Sequence, residues 1–250
     1  MENGKDTSPY NSLEGDRPEL SFNLHEGSEE QVSIIVVHNN SPEHLSICLQ
    51  SIAVTTINNN YEIVVVDNNS NEESQEFLTS VEENGVVVVR NDENSFWSAA
   101  ANKGFAAANK NSKYIVFMHS DVVVLNSGWL DTLINVSDTQ NCGMVGVEMN
   151  SFIVSKQKID FIEEWAVAFT RECFEEIGPW PENLPYTGHS FILTLRAQRK
   201  GHKPQIVKTP ILHHYRIFGI DINEHERFIE KARNELPRMI NDVQTQPVSV

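Results

Sequence analysis

Three short polar segments hold most of the chemistry-bearing side chains in the first half of the chain. His38, Asn39 and Asn40 form the first, Asp67, Asn68, Asn69 and Ser70 the second, and His119, Ser120 and Asp121 the third. Each follows directly on a β-branched, apolar run: VSIIVV, then YEIVVV, then YIVFM. Carboxylate oxygen and histidine nitrogen are ligands for divalent cations. A Rossmann-type dinucleotide site is excluded, because the first turn, HNNSPEHL, has no glycine to let the backbone approach a pyrophosphate. A Walker sequence is absent too. A phosphate bound here needs other neutralisation, and a metal is the first candidate.

The surrounding elements must place these segments together. Near-continuous β-branched runs at Val32–Val37, Tyr61–Asp67, Val86–Val89 and Tyr114–Met118 predict strands buried on both faces. Between them lie helical patterns. Ser41 is placed to cap a helix with Pro42 at its first position, and Leu45, Cys48, Leu49 and Ile52 repeat at helical spacing. Phe77, Leu78 and Val81 mark a second helix, Ser98–Asn109 a third, and Trp129, Leu130, Leu133 and Ile134 a fourth. Strands alternating with helices predict a parallel sheet covered on both faces. Right-handed crossovers then bring the C-terminal strand ends to one edge, where such folds bind ligands.

The second half is more mixed. Gly143–Met149 and Trp165–Thr170 read as strands, and Arg171–Gly178 as a short helix closed by a C-cap glycine. Ser190–Gly201 reads as a longer helix, and PQIVK and ILHHY as strand-like pieces. A charged helix is expected from Asn223 to about Val243, kinked or ended by Pro237.

At 250 residues the chain suits one large domain or two small ones. A formal charge of −16 argues against nucleic-acid binding and against a polybasic hold on anionic lipid. Cys48, Cys142 and Cys173 are odd in number and scattered, which fits a reducing, cytoplasmic setting. No apolar run reaches the roughly 20 residues of a membrane span, and the acidic start gives no expectation of a secretory signal. Peripheral contact with the inner face of a membrane is left open. Residues 1–30 read as an acidic tail that buries too little surface to offset its ordering, though Leu20, Phe22 and Leu24 alternate like an edge strand.

VSIIVVHNN, YEIVVVDNNS and ANKGFAAANKNSKYIVFMHSDV, in that order and spacing, resemble the nucleotide-binding half of the family 2 glycosyltransferases. RECFEEIGPWPENLPYTGHSFILTLRAQRKGHKPQIVKTPILHH resembles that family's acceptor half. The resemblance covers roughly residues 32–215. It implies a GT-A fold: an α/β, Rossmann-like, mostly parallel sheet with helices on both faces and a smaller mixed sheet on the acceptor side. The implied domain spans 31–222, with a nucleotide-binding half at 31–125 and an acceptor half at 126–222, followed by a C-terminal helix and tail at 223–250. It implies transfer of a hexose from a nucleotide sugar, most simply a UDP-sugar, to a glycan or lipid-linked saccharide, with a divalent metal, Mn²⁺ or Mg²⁺.

Residue by residue, the resemblance gives Asp67 to the base. His38, Asn39 and Asn40 go to the base and ribose, and Asn102, Lys103 and Ser120 to the nucleotide. Asp121 keeps the family's metal-binding place, and His119 makes the segment an H-x-D variant with a second ligand that favours Mn²⁺. His213 or His214 matches the histidine that closes on the metal or diphosphate, with Tyr215 and Arg216 nearby. The departure lies at Gly188–Arg196. The acid pair that usually holds the general base is His189 and Ser190, and a further acid is Ile192, while Arg196 matches. His189 could serve as the base; Glu182 or Glu164 could replace it. Without any base, the chain would be a nucleotide-sugar binding module. Trp165 and Trp180 are either sugar platforms or core aromatics.

Overall fold

The computed structural model describes residues 31–56, 60–139, 141–154, 157–213 and 222–245. The acidic segment 1–30, His214, Tyr215, Arg216 and the end after 245 lie outside them. The first apolar run forms β1 (Gln31–His38). Its side chains alternate between faces: Val32, Ile34 and Val36 join one hydrophobic cluster, and Ile35 and Val37 the other. A strand clothed on both faces has to be apolar throughout, which is what the sequence supplies. Ser33 and the terminal His38 are the buried polar exceptions, and the Ser33 hydroxyl is satisfied by Glu62 at 2.6 Å and Ser112 at 2.7 Å.

The chain continues through α1 (Pro42–Thr55), β2 (Tyr61–Asp67), α2 (Glu72–Glu83), β3 (Val87–Arg90), α3 (Phe96–Ala107), β4 (Ser112–His119), β5 (Val122–Val124) and α4 (Trp129–Ser137). Then come β6 (Met144–Gly146), β7 (Met149–Val154), β8 (Gln157–Ile162), β9 (Ala166–Thr170), α5 (Arg171–Ile177), α6 (His189–Arg199), β10 (Gln205–Ile206), β11 (Ile211–His213) and α7 (Ile222–Thr245). Seven strands make the main sheet, in the order β10-β6-β9-β4-β1-β2-β3. Strands β4, β1, β2 and β3 run parallel, and β9 is antiparallel to both β4 and β6. One sheet therefore crosses from the first half of the chain into the second. Two small antiparallel pairs, β11–β5 and β7–β8, stand beside it.

Helices α1, α2 and α4 bury Leu49, Leu78 and Leu133 in one cluster, while α3, α5 and α6 bury Ala101, Phe174 and Leu193 in the other. Helix α3 lies close on the sheet because of Gly104: a β-carbon there would sit 2.4 Å from Ile35 and 2.9 Å from Val66. Helix α7 packs Ala232, Ile240 and Val243 with Phe191 and Ile192 of α6 in a third cluster.

Several local expectations change. Ser41 has a left-handed backbone and makes no capping bond; Asn71 does cap α2, accepting from Ser74 N at 3.0 Å. Gly178 ends α5 in an extended conformation rather than a left-handed one. The Gly143–Met149 run breaks into β6 and the start of the β7–β8 hairpin. Helix α7 runs on through Pro237 instead of stopping there.

Candidate active site

The C-terminal ends of β1, β2 and β4 open into a cleft of about 520 Å³. Val37, His38, Asn39, Ser41, His44 and Asn68 line it from the β1 and β2 ends, and Asn94, Phe96 and Trp97 from the start of α3. His119, Ser120 and Asp121 come from the β4 end. The far wall is Glu164, Tyr186, Thr187 and His213. Four histidines and two carboxylates face this space, and no lysine or arginine does among the described residues.

At one end, single donor atoms of His119, Asp121 and His213 all lie within 4.8 Å of one another. β4 delivers His119, the turn after it Asp121, and the antiparallel β11–β5 pair returns His213 opposite Val122. His213 Nε2 is 3.3 Å from Asp121 Oδ1, and the His213 ring stacks on Trp165, with centroids 4.8 Å apart and planes at 9°. Burial acts to raise the Asp121 carboxyl, but the bond from His213 and the charges nearby outweigh it and hold it below its ordinary value. Burial lowers His119 to about 4, against the pull of Glu164. The imidazole is therefore neutral at pH 7, and its buried Nε2 makes no hydrogen bond. A neutral imidazole with an orphaned nitrogen beside an ionised carboxylate and a second imidazole is a donor set that fits a divalent cation.

Glu164 stands next to this group. Its Oε1 is 4.0 Å from His119 Nε2 and 3.4 Å from His189 Nε2. Burial pushes its carboxyl up, but His189 and then His119 reverse this and hold it far below the usual carboxylate range. The neighbouring Glu163 moves the other way, raised by burial and by the Glu164 charge.

The expected site residues divide into two sets. His38, Asn39, Ser120, Asp121, His119 and His213 face the cleft. Asp67, Asn40, Asn102, Lys103 and His189 do not line it, and each has an internal task. Asp67 is fully buried; its carboxylate accepts from Ser70 N at 3.1 Å and from the Gln75 side-chain amide. Asn40 ties the β1 turn to the β2 turn, donating from its backbone N–H to Ser70 Oγ at 2.8 Å and accepting from Asn71 N at 2.8 Å. Asn102 bonds both backbone groups of Trp180 at 2.9 Å, so it fastens α3 to the loop after α5. Lys103 donates to Asn91 at 2.8 Å.

His189 is 1 % exposed, and its two nitrogens face the Leu184 carbonyl and the Glu164 carboxylate. Both nitrogens thus point at protein groups rather than into the cleft, whose lining does not include His189. The residue expected as the base therefore lies behind Glu164, which does line the cleft. Trp165 and Trp180 are core aromatics, 8 % and 0 % exposed. The residues not assigned beforehand are His44, Asn68, Asn94, Phe96, Trp97, Tyr186 and Thr187. Asn68 carries the clearest signal, since it adjoins Asp67 at the strand end.

Comparisons agree with this architecture. Mannosyltransferase PcManGT from Pyrobaculum calidifontis, solved with GDP-Man and Mn²⁺, aligns with a TM-score of 0.64 at 15% identity over 87% of this chain and 65% of its own. GalNAc-T7, solved with UDP, GalNAc and Mn²⁺, aligns with a TM-score of 0.64 at 14% identity, covering 86% of this chain and 55% of its own. S. aureus TarS (residues 1–349) aligns with a TM-score of 0.55 at 16% identity, covering 71% and 58%. The chain thus spans 55% to 65% of the length of these structures, whose GT-A fold it shares. No curated protein matches it by sequence. No described helix is long and apolar enough to cross a membrane. Residues 33–198 match the pattern of glycosyl transferase family 2, which is two thirds of the chain and includes β1 to β4 with most of the cleft, and the chain belongs to that family.

Proposed function

We propose that the protein is a metal-dependent glycosyltransferase. It moves a hexose from a nucleotide sugar, most simply a UDP-sugar, to a hydroxyl of a glycan or lipid-linked saccharide, with inversion at the anomeric carbon. The observation that carries this reading is the His119–Asp121–His213 group at one end of a cleft whose described lining has no lysine or arginine. A nucleoside diphosphate placed there needs a cation to balance it, and these three residues would hold one. Two imidazoles among the three ligands favour Mn²⁺ over Mg²⁺. Bound there, the ion supplies neutralisation of the charge that develops on the departing diphosphate. The two structural neighbours solved with Mn²⁺ and a nucleotide ligand support the same reading.

The chain's own residues do the rest. Asn39 and Asn68, which line the cleft from the β1 and β2 ends, receive the nucleoside, with the buried His38 behind them. The acceptor hydroxyl oxygen attacks the anomeric carbon, the bond from that carbon to the diphosphate oxygen breaks, and the hydroxyl proton is taken up by the Glu164–His189 pair. His189, held by the Leu184 carbonyl, keeps Glu164 turned toward the cleft. Glu164 thereby takes the place of the acid that His189 displaces from the start of α6.

The second reading is a nucleotide-sugar binding module, favoured by that same displacement. The separating experiment incubates the protein with UDP-, GDP- and dTDP-sugars plus Mn²⁺ and reads thermal shift together with release of free nucleotide. Turnover supports the transferase. A shift without turnover, across varied acceptors, supports the module. Neither shift nor turnover overturns both.

A further inference from the structure

Phe96 opens α3 with a left-handed backbone, φ 59°. For a bulky aromatic residue that is an outlier. Such strain persists where the surroundings over-determine it, and it collects at ligand sites. The surroundings here are explicit. Phe96 N donates to Asn94 Oδ1 at 3.0 Å, and Phe96 O accepts from Asn68 Nδ2 at 3.2 Å. Asn68 Nδ2 also donates to Asn94 Oδ1 at 2.8 Å, while Asn68 Oδ1 accepts from Asn91 and Ser95. The end of β2 thus clamps the first residue of α3 in an unfavourable conformation. A glycine would adopt that conformation freely, so what the phenylalanine adds is its ring.

That ring is half-buried in the cleft wall. It packs edge-on against Phe228 of α7, centroids 4.6 Å apart and planes at 73°. Tyr186, also lining the cleft, lies 5.7 Å from Phe228 and nearly parallel to it. The family pattern matches residues 33–198, so Phe228 backs the wall from a helix outside the matched region. Phe96 and Tyr186 line the cleft together with the polar side chains of Asn94 and Thr187. A pyranose ring has the complementary character: an apolar C–H face with hydroxyls around its edge.

We propose that Phe96, backed by Phe228 and flanked by Tyr186, is a platform for a pyranose ring, that of either the donor or the acceptor. This rests on the glycosyl-transfer reading and adds the surface on which the sugar lies.

The test uses the full chain with Mn²⁺, calorimetry and saturation-transfer NMR. The ligands are UDP, UDP-glucose, GDP, GDP-mannose and the methyl glycosides of glucose, galactose and mannose. Phe96→Gly removes the ring while suiting the left-handed backbone, and Phe96→Tyr restores a ring. Phe96→Gly should bind UDP or GDP as the parent does and lose about tenfold in affinity for a sugar-bearing ligand, with Phe96→Tyr recovering it. Loss confined to the nucleotide sugars identifies the donor's ring; loss confined to the glycosides, with their saturation transfer, identifies the acceptor's. The platform is overturned if every ligand binds Phe96→Gly as tightly as the parent, or if nucleotide and nucleotide sugar weaken equally. It is overturned alone if the parent binds UDP or GDP but gains nothing from an attached sugar and shows no transfer to any glycoside. A parent that binds no nucleotide overturns the transferase reading with it.

Discussion

Oε1 of Glu164 stands 3.4 Å from Nε2 of the buried His189. The two residues come from different parts of the fold, Glu164 from the turn between β8 and β9 and His189 from the first position of α6. Glu164 also lines the cleft, so the pair joins a cleft-facing carboxylate to a buried imidazole.

Replacing Glu164 therefore separates a base from a structural ion-pair partner. Glu164→Gln should lower kcat roughly 10²–10⁴-fold while leaving the KM of the nucleotide sugar nearly unchanged. Steady-state kinetics and a thermal melt on the same preparation check this. A lower melting temperature with kcat preserved would make Glu164 purely structural.

Asp121 tests the other end of the cleft. Asp121→Ala should weaken Mn²⁺-dependent nucleotide affinity by at least roughly tenfold. It should cost only about 1 kcal/mol of stability, the loss of its bond from His213. Calorimetry with UDP, with and without Mn²⁺, measures the loss. Unfolding with nucleotide affinity intact would contradict the assignment.

Asp67 should behave in the opposite way. Both its oxygens are occupied by Ser70 N and the Gln75 amide inside the protein. Asp67→Ala leaves those donors unpaired and should cost about 1–3 kcal/mol of stability, with nucleotide affinity preserved. Urea denaturation and calorimetry distinguish this from a base-reading carboxylate, which would show the reverse.

The contrast between Asp67 and Asn68 shows where sequence reading ends. The β-branched runs that became β1, β2 and β4 announce their own burial, and the position of the ligand edge follows from chain topology. Adjacent residues at a strand end point to opposite sides, and a motif spanning both does not say which side is the cleft. The family resemblance gives Asn102 to the nucleotide; in the structure Asn102 bonds Trp180, and Gly104, two residues on, packs against Ile35 and Val66. Glu164 was legible only as one of two alternatives to His189, and Phe96 not at all. The first reaches the cleft only through long-range pairing, and the second adopts a backbone conformation that its residue type gives no reason to expect.

Acid sensitivity should follow from His38. It is fully buried at the end of β1, its ring nitrogens make no hydrogen bond, and burial lowers its pKa from 6.5 to about 4 against the pull of Asp67. Between those values the unfolded chain binds a proton that the folded chain refuses, so stability rises with pH across that window. The contribution is complete above pH 6.5, shrinks as pH falls, and is gone below about 4; its full size is about 3 kcal/mol. His119, lowered in the same direction, adds to the slope. His38→Leu removes the titrating group with little change in volume and should flatten the dependence of unfolding free energy on pH. Urea titrations between about pH 5.5 and 8, above the sequence pI of about 4.9, resolve the change as a smaller proton uptake on unfolding. Equal slopes in parent and variant would mean that His38 is protonated in the folded protein, with an acceptor that the fold does not show.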